Sequence, residues 1–226
     1  MTEFNNPLLD CIETETGPDP THAVIWLHGL GADGGDFAPL VPQLQSSNKP
    51  AIRFVFPHAP VRPITINNGF AMRAWYDIFS PDLVRREDEL GIRASQQSIE
   101  ALIARENSRG IPTEKIVLAG FSQGCALTLH TGLRLNQKLA GMIALSGYLP
   151  LADSLTSERH SANQDTPIFL AHGTLDPVVN FSRAQATRKI LTDLNYPVTW
   201  ETYAMPHAVC PQEIVDITRF LRQVLI

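Results

Sequence analysis

The stretch KIVLAGFSQGCALTL, Lys115 to Leu129, passes from a β-branched apolar run through a glycine-flanked serine into an apolar helical pattern. Ile116 to Ala119 has the unalternating character of a strand buried on both faces, and the segment after Ser122 has that of a helix. Between them, Gly120-Phe121-Ser122-Gln123-Gly124 fits G-x-S-x-G. The pattern has physical meaning only at a strand-to-helix turn, which is where it lies. So tight a turn requires neighbours without bulk, hence glycine two before and two after the serine. A serine that merely capped the helix would need no glycine on either side. The turn exposes the Ser122 hydroxyl at the carboxyl edge of the sheet and aims the N-terminus of the new helix at it, making Ser122 a candidate nucleophile.

Similar apolar runs recur on both sides of this turn. They are Val24 to Leu27, Ile52 to Phe56, Met142 to Leu145, Ile168 to Ala171 and Val198 to Tyr203. The last, VTWETY, alternates and suits a strand near the sheet edge, and Leu8 to Thr14 reads as an antiparallel edge strand. Helical patterns separate the runs. Ile99, Leu102 and Ile103 form an apolar stripe, joined one heptad earlier by Ile92, and the mixed-sign run Arg85 to Glu89 reads as the solvated start of that helix. In the closing segment CPQEIVDITRFLRQVL, Pro211 and an acidic first turn mark a helix start, and Ile214, Ile217, Leu221 and Val224 share one face. Strand and helix in alternation predict an α/β fold: a mostly parallel sheet with helices on both faces. The 226 residues suffice for a single domain, 1–226, and are short for two. Residues 58–90 and 147–166 break the alternation and read as irregular loops covering a substrate at the strand ends.

A serine hydroxyl needs a base, oriented in turn by a carboxylate, and in this architecture the chain order is serine, acid, histidine. His22, His28 and His58 precede Ser122, His130 lies on the following helix and His160 in the polar loop. His172 ends a strand, but its acid would have to come from that loop. His207, past the last strand in YAMPHAVCPQEI, has the right order and a strand-end acid before it. That acid is Asp176, in PIFLAHGTLDPVV. Asp165 precedes its strand, Asp193 falls within a predicted helix, and Asp216 follows His207. The developing oxyanion needs fixed donors. The N–H of Gln123 is one, and the glycine-rich loop in VIWLHGLGADGGDF supplies the other, the N–H of Leu30, with His28-Gly29 shaping the loop. The loop lacks the phosphate-cradling registers G-x-x-x-x-G-K-[ST] and G-x-G-x-x-G.

The chain is 44% hydrophobic and 18% charged, with a net charge of −5 and no long block of one sign. That balance argues against nucleic acid or an anionic membrane surface as the main partner. Cys11, Cys125 and Cys210 cannot all pair and lack C-x-x-C spacing, so a reducing compartment is expected. Cys11 and Cys125 read as small buried hydrophobes, and Cys210 as a packing residue at a helix start. MTEFNNPLLD has no signal-like n- or h-region, and no window approaches a bilayer span. A soluble cytoplasmic protein, monomer or homodimer without stable membrane insertion, is the expectation. No H-E-x-x-H or comparable ligand set suggests a metal, and no cofactor is called for.

The residues alone support a serine hydrolase and leave ester against amide open. Taken together, LHGLGADGGDF, FPHAP, WYDI, EDELGI, GFSQGCAL, ALSGYLP, HGTLDPVV and MPHAVCPQEI, in order from about Val24 to Leu225, resemble the carboxylesterase and acyl-protein thioesterase family of α/β-hydrolases. The resemblance implies the α/β-hydrolase fold, Ser122, Asp176 and His207 as the triad, and Leu30 and Gln123 as oxyanion donors. It also implies a shallow apolar acyl groove with Trp75 and Tyr148 as substrate-binding residues, although the family often has tryptophan near the position of Tyr148. The expected activity is hydrolysis of carboxylic esters of small to medium acyl chains through an acyl-enzyme. Alternative substrates are acylated proteins, as a thioesterase, and lysophospholipids. A non-catalytic binding module on the hydrolase fold is the alternative of another class.

Overall fold

The computed structural model describes residues 8–44, 50–80 and 86–225. The strands are β1 (Cys11–Glu15), β2 (His22–Leu27), β3 (Ile52–Pro57), β4 (Val61–Ile64), β5 (Phe70–Arg73), β6 (Ile116–Phe121), β7 (Gly141–Leu145), β8 (Ile168–Gly173) and β9 (Val198–Tyr203). The helices are α1 (Val41–Leu44), α2 (Glu89–Ser108), α3 (Gln123–Arg134), α4 (Ala152–Glu158), α5 (Phe181–Asp193) and α6 (Pro211–Val224). Seven strands form one sheet in the order β1-β3-β2-β6-β7-β8-β9. β1 runs antiparallel to β3, with Ile12 opposite Phe56, and every other neighbouring pair is parallel. The expected antiparallel edge strand is present, shifted toward Glu15.

Burial on both faces explains the unalternating strands. In β2, Ala23, Ile25 and Leu27 point into a core shared with Ile92, Ile99, Leu102 and Ile103 of α2 and with Leu129 and Leu133 of α3. Val24 and Trp26 point into a second core, which holds Val41 and Leu44 of α1 and Ile214, Ile217, Phe220 and Leu221 of α6. Each fully buried aliphatic side chain on these faces contributes roughly 1.5–3 kcal/mol. Strand β9, paired on one side only, is half-buried at Val198, Trp200, Glu201 and Tyr203 and exposed at Thr199 and Thr202, so it is an edge strand as expected but without the strict alternation that VTWETY implies.

Helix α2 starts where the mixed charge run ends. The Asp88 side chain accepts from the Gly91 N–H at 2.9 Å, the capping bond that relieves one unsatisfied donor of the first turn. The same carboxylate accepts from the Asp77 N–H at 2.8 Å, tying the segment before α2 to its cap.

Two loop expectations require correction. Residues 58–90 are not wholly irregular: β4 and β5 pair as a small antiparallel sheet, with Val61 opposite Arg73, and α2 begins at Glu89. Residues 81–85 of that segment, like 1–7 of the N-terminal stretch and residue 226, lie outside the described residues. Residues 147–166 contain α4 and a 3-10 turn at Ser161–Asn163. Leu155 anchors α4 in the α2/α3 core. In both cases, a hairpin of four-residue strands or a helix of about two turns is too short to leave a clear hydrophobic period.

Candidate active site

Strand β6 ends at Phe121 and α3 begins at Gln123, so Ser122 alone makes the turn. Its backbone sits at φ 56° and ψ −115°, a strained region for a residue with a Cβ. The turn is held by the Ser122 N–H donating to Leu145 O at 2.9 Å and by the Ala126 N–H donating to Ser122 O at 3.1 Å. The two glycines are fixed by close approach. A Cβ on Gly120 would lie 2.2 Å from the Gly124 backbone, and one on Gly124 would lie 2.1 Å from Leu27 O.

His207 follows β9 and Asp176 follows β8, at neighbouring strand ends. Their side chains meet, His207 Nδ1 to Asp176 Oδ2 at 2.7 Å. The other carboxylate oxygen accepts from the N–H groups of Val178 at 2.8 Å and Val179 at 2.9 Å. The carboxyl group is thus fixed in rotation, and its second oxygen, accepting at Nδ1, selects the imidazole tautomer whose lone pair is on Nε2. The Phe121 ring flanks the imidazole, with centroids 4.7 Å apart. Ser122 and His207 line the same cavity of about 430 Å³, and the serine hydroxyl has no hydrogen-bond partner among the described residues.

Leu30 and Gln123 also line this cavity, and neither N–H has an acceptor among the described residues. Two unpaired donors beside a serine at a helix N-terminus make a suitable cradle for an oxyanion. The loop bearing Leu30 is held by a buried histidine: His28 Nδ1 meets Gly29 O at 2.7 Å and His28 Nε2 accepts from the Ala59 N–H at 3.0 Å. Both ring nitrogens are used within the backbone scaffold, and burial pushes the His28 pKa down, which keeps the ring neutral. His28 is the loop-shaping residue expected from the sequence.

The sequence profile of the Phospholipase/Carboxylesterase family matches residues 9–225 of this chain. The chain belongs to that family. It is accordingly a carboxylic ester hydrolase with the α/β-hydrolase fold. Curated relatives include acyl-protein thioesterase 1 of Neurospora crassa, 44% identical over 90% of this chain and 86% of that protein. Acyl-protein thioesterase 1 of Yarrowia lipolytica is 39% identical over 90% of this chain and 92% of that protein. Among solved structures, Arabidopsis thaliana SOBER1 superposes with a TM-score of 0.84 at 31% identity, covering 91% of this chain and 99% of that one.

Of the two expected groove residues, the structure places only Tyr148 on the cavity. Trp75 is fully buried beneath it. Its indole Nε1–H donates to His28 O at 2.9 Å, its N–H donates to Gln123 Oε1 at 3.1 Å, and its carbonyl accepts from Ser95 Oγ. Trp75 therefore pins the loop after β2 to the turn at Ser122 and does not reach the cavity. Its aromatic type is readable from the sequence, but the direction of its ring is not. Gln123 has a second function that the motif does not announce: its side chain also donates to Tyr76 O at 2.9 Å, clamping residues 75 and 76.

The cavity walls are mostly apolar, from Ile66, Ile78, Phe121, Val178 and Val179, with Asp36 and Asn67 as further polar lining and the paired phenols of Tyr76 and Tyr148 at 3.1 Å. Burial pushes the Tyr148 hydroxyl up to about 12 and raises that of Tyr76, so both stay neutral. Residues 58–90 do reach the site, through Ile66, Asn67, Tyr76 and Ile78, whereas residues 147–166 contribute Tyr148 alone. Isolated apolar residues in a proline-rich stretch carry no periodic signal, so the sequence could not mark them as wall residues.

Among the cysteines, Cys125 is fully buried as expected, and Cys210 stands at the N-cap of α6. Cys11 departs from expectation: it is only half-buried, because β1 is an edge strand. No helix among the described residues is long and apolar enough to cross a membrane.

Proposed function

We propose that this chain is a serine hydrolase that removes fatty acyl groups from S-acylated proteins and also cleaves simple esters of the same acyl chains. The reading rests first on the 2.7 Å His207–Asp176 pair, whose histidine lines one mostly apolar cavity with Ser122. The names of the curated relatives support a thioester substrate. Ser122 Oγ attacks the acyl carbonyl while His207 Nε2 takes its proton, and Asp176 holds the resulting imidazolium. The oxyanion is received by the N–H groups of Leu30 and Gln123. His207 then returns the proton to the leaving thiol or alcohol. Water, activated by the same base, releases the acid from the acyl-enzyme.

The test compares an S-palmitoylated peptide, p-nitrophenyl esters and a lysophospholipid as substrates of the wild type and of Ser122→Ala. The wild type is expected to turn over the thioester and to bind a fluorophosphonate covalently at Ser122. Ser122→Ala should lose roughly 10⁶ in kcat and all labelling. Retained turnover in Ser122→Ala would overturn the assignment of the nucleophile. No labelling and no turnover by the wild type would favour a binding module, and preferential hydrolysis of the lysophospholipid would redirect the substrate class.

A further inference from the structure

Behind the acyl cavity lies a second one of about 460 Å³, lined by Tyr148, Leu149, Leu151, Ala152, Ala186 and Ile190, with Glu87, Glu89, Asp153 and Arg183 among its polar groups. Tyr148 belongs to both cavities. The residue is only 6% exposed. The hydroxyl is fastened to the Tyr76 hydroxyl at 3.1 Å, and Tyr76 lines the first cavity. The ring is also tied to the second: the Arg183 guanidinium stands 5.8 Å from the ring centroid, and Arg183 lines that cavity. The backbone is anchored next door, where the Leu149 N–H donates to Thr187 Oγ1 at 2.9 Å. One phenol ring, held at its tip and beside its base, therefore stands between two spaces of nearly equal volume.

We infer that Tyr148 is the partition that sets acyl-chain length, ending the chain at the Tyr76–Tyr148 pair and keeping it out of the space between α4 and α5. Removing the ring opens the first cavity, of about 430 Å³, into the second and roughly doubles the room behind the nucleophile. Each further methylene that becomes buried is then worth roughly a fourfold gain in kcat/KM. The inference rests on the proposed ester and thioester hydrolysis at Ser122, and the controls separate the failure of one from the failure of the other.

The experiment measures kcat/KM on p-nitrophenyl esters from C4 to C16 for the wild type, Tyr148→Ala and Tyr148→Ala/Ala186→Trp. In Tyr148→Ala the C16-to-C4 ratio should rise at least tenfold. Ala186 lies on the second cavity only, so Ala186→Trp alone should leave the wild-type ratio unchanged. In the double variant the indole should refill the space and cancel most of the gain. Tyr148→Leu, a smaller truncation, carries the same expectation in the event that Tyr148→Ala does not fold, and C4 hydrolysis reports folding in every variant. An unchanged ratio in a truncated variant that still hydrolyses C4 overturns the partition. A ratio that rises equally with and without Ala186→Trp overturns the second cavity as the new space. A wild type without turnover of any ester, and without fluorophosphonate labelling, overturns the hydrolase reading itself.

Discussion

Asp176→Asn isolates the function of the carboxylate, because the change is nearly isosteric and the structure fixes which way the amide must face. One Asp176 oxygen accepts two backbone N–H groups, from Val178 at 2.8 Å and Val179 at 2.9 Å, and the other faces His207 Nδ1. In the variant, the amide oxygen would keep the two backbone donors, since turning NH₂ toward them would leave both unsatisfied at roughly 1–3 kcal/mol each. The NH₂ group would then face His207 Nδ1, where only a lone pair can receive it. The ring proton moves to Nε2, and the base that should accept the Ser122 proton is occupied. Recovering the productive tautomer costs the amide flip, together roughly 2–6 kcal/mol, or about 30-fold to 10⁴-fold in rate. Loss of the carboxylate charge beside the imidazolium adds to this, so the expected fall in kcat is roughly 10³–10⁴. Steady-state hydrolysis of p-nitrophenyl butyrate at pH 7 reads it. KM should stay within about twofold and the melting temperature within a few degrees, since packing and backbone bonds are retained. A fall in kcat of less than about tenfold, in a folded variant, would show that Asp176 does not set the His207 tautomer.

Gln123→Ala keeps the backbone N–H assigned to the oxyanion but strands the Trp75 N–H and Tyr76 O, both bonded to this side chain. Urea denaturation should show a loss of roughly 2–4 kcal/mol, and an unchanged midpoint would contradict the clamp. Gly124→Ala places a methyl 2.1 Å from Leu27 O, so soluble yield and melting temperature should both collapse. A normal melting curve there would mean the turn can open without cost. His130 is fully buried, and burial, with Arg134 and Arg93 nearby, holds its pKa down to about 3. A depressed histidine stabilises the fold above its unfolded pKa of about 6.5, and that contribution is lost as pH falls from there toward 3. Calorimetry between pH 7 and pH 4 should give a shallower decline of melting temperature for His130→Gln than for the wild type. Parallel curves would exclude His130 as a source of acid sensitivity.

The strands were legible because burial on both faces leaves unbroken apolar runs, and β2 to β3 and β6 to β9 fall where those runs lie. The candidate site was legible where chemistry dictates residue type: a serine between glycines, and one histidine and one aspartate in order at strand ends. Trp75 was not. Its type suits a groove, but its three bonds, to His28 O, Gln123 Oε1 and Ser95 Oγ, come from elements far apart in the chain and turn it inward. Val178 and Val179 were equally hidden, lying beside Asp176 yet serving both as its backbone donors and as cavity wall.

By itself the sequence marked the strand–turn–helix around Ser122, because a turn this tight leaves no room for a side chain at position 120 or 124. It also determined the order of Ser122, Asp176 and His207 along the chain. Tertiary structure alone decided the rest. The rotation of the Asp176 carboxylate depends on two N–H groups of its own turn, and the face of Trp75 on bonds from three separate elements. The division of space by Tyr148 depends on residues as distant as Tyr76 and Arg183. Local spacing encodes steric necessity within a turn; direction and enclosure depend on what the folded chain brings from elsewhere.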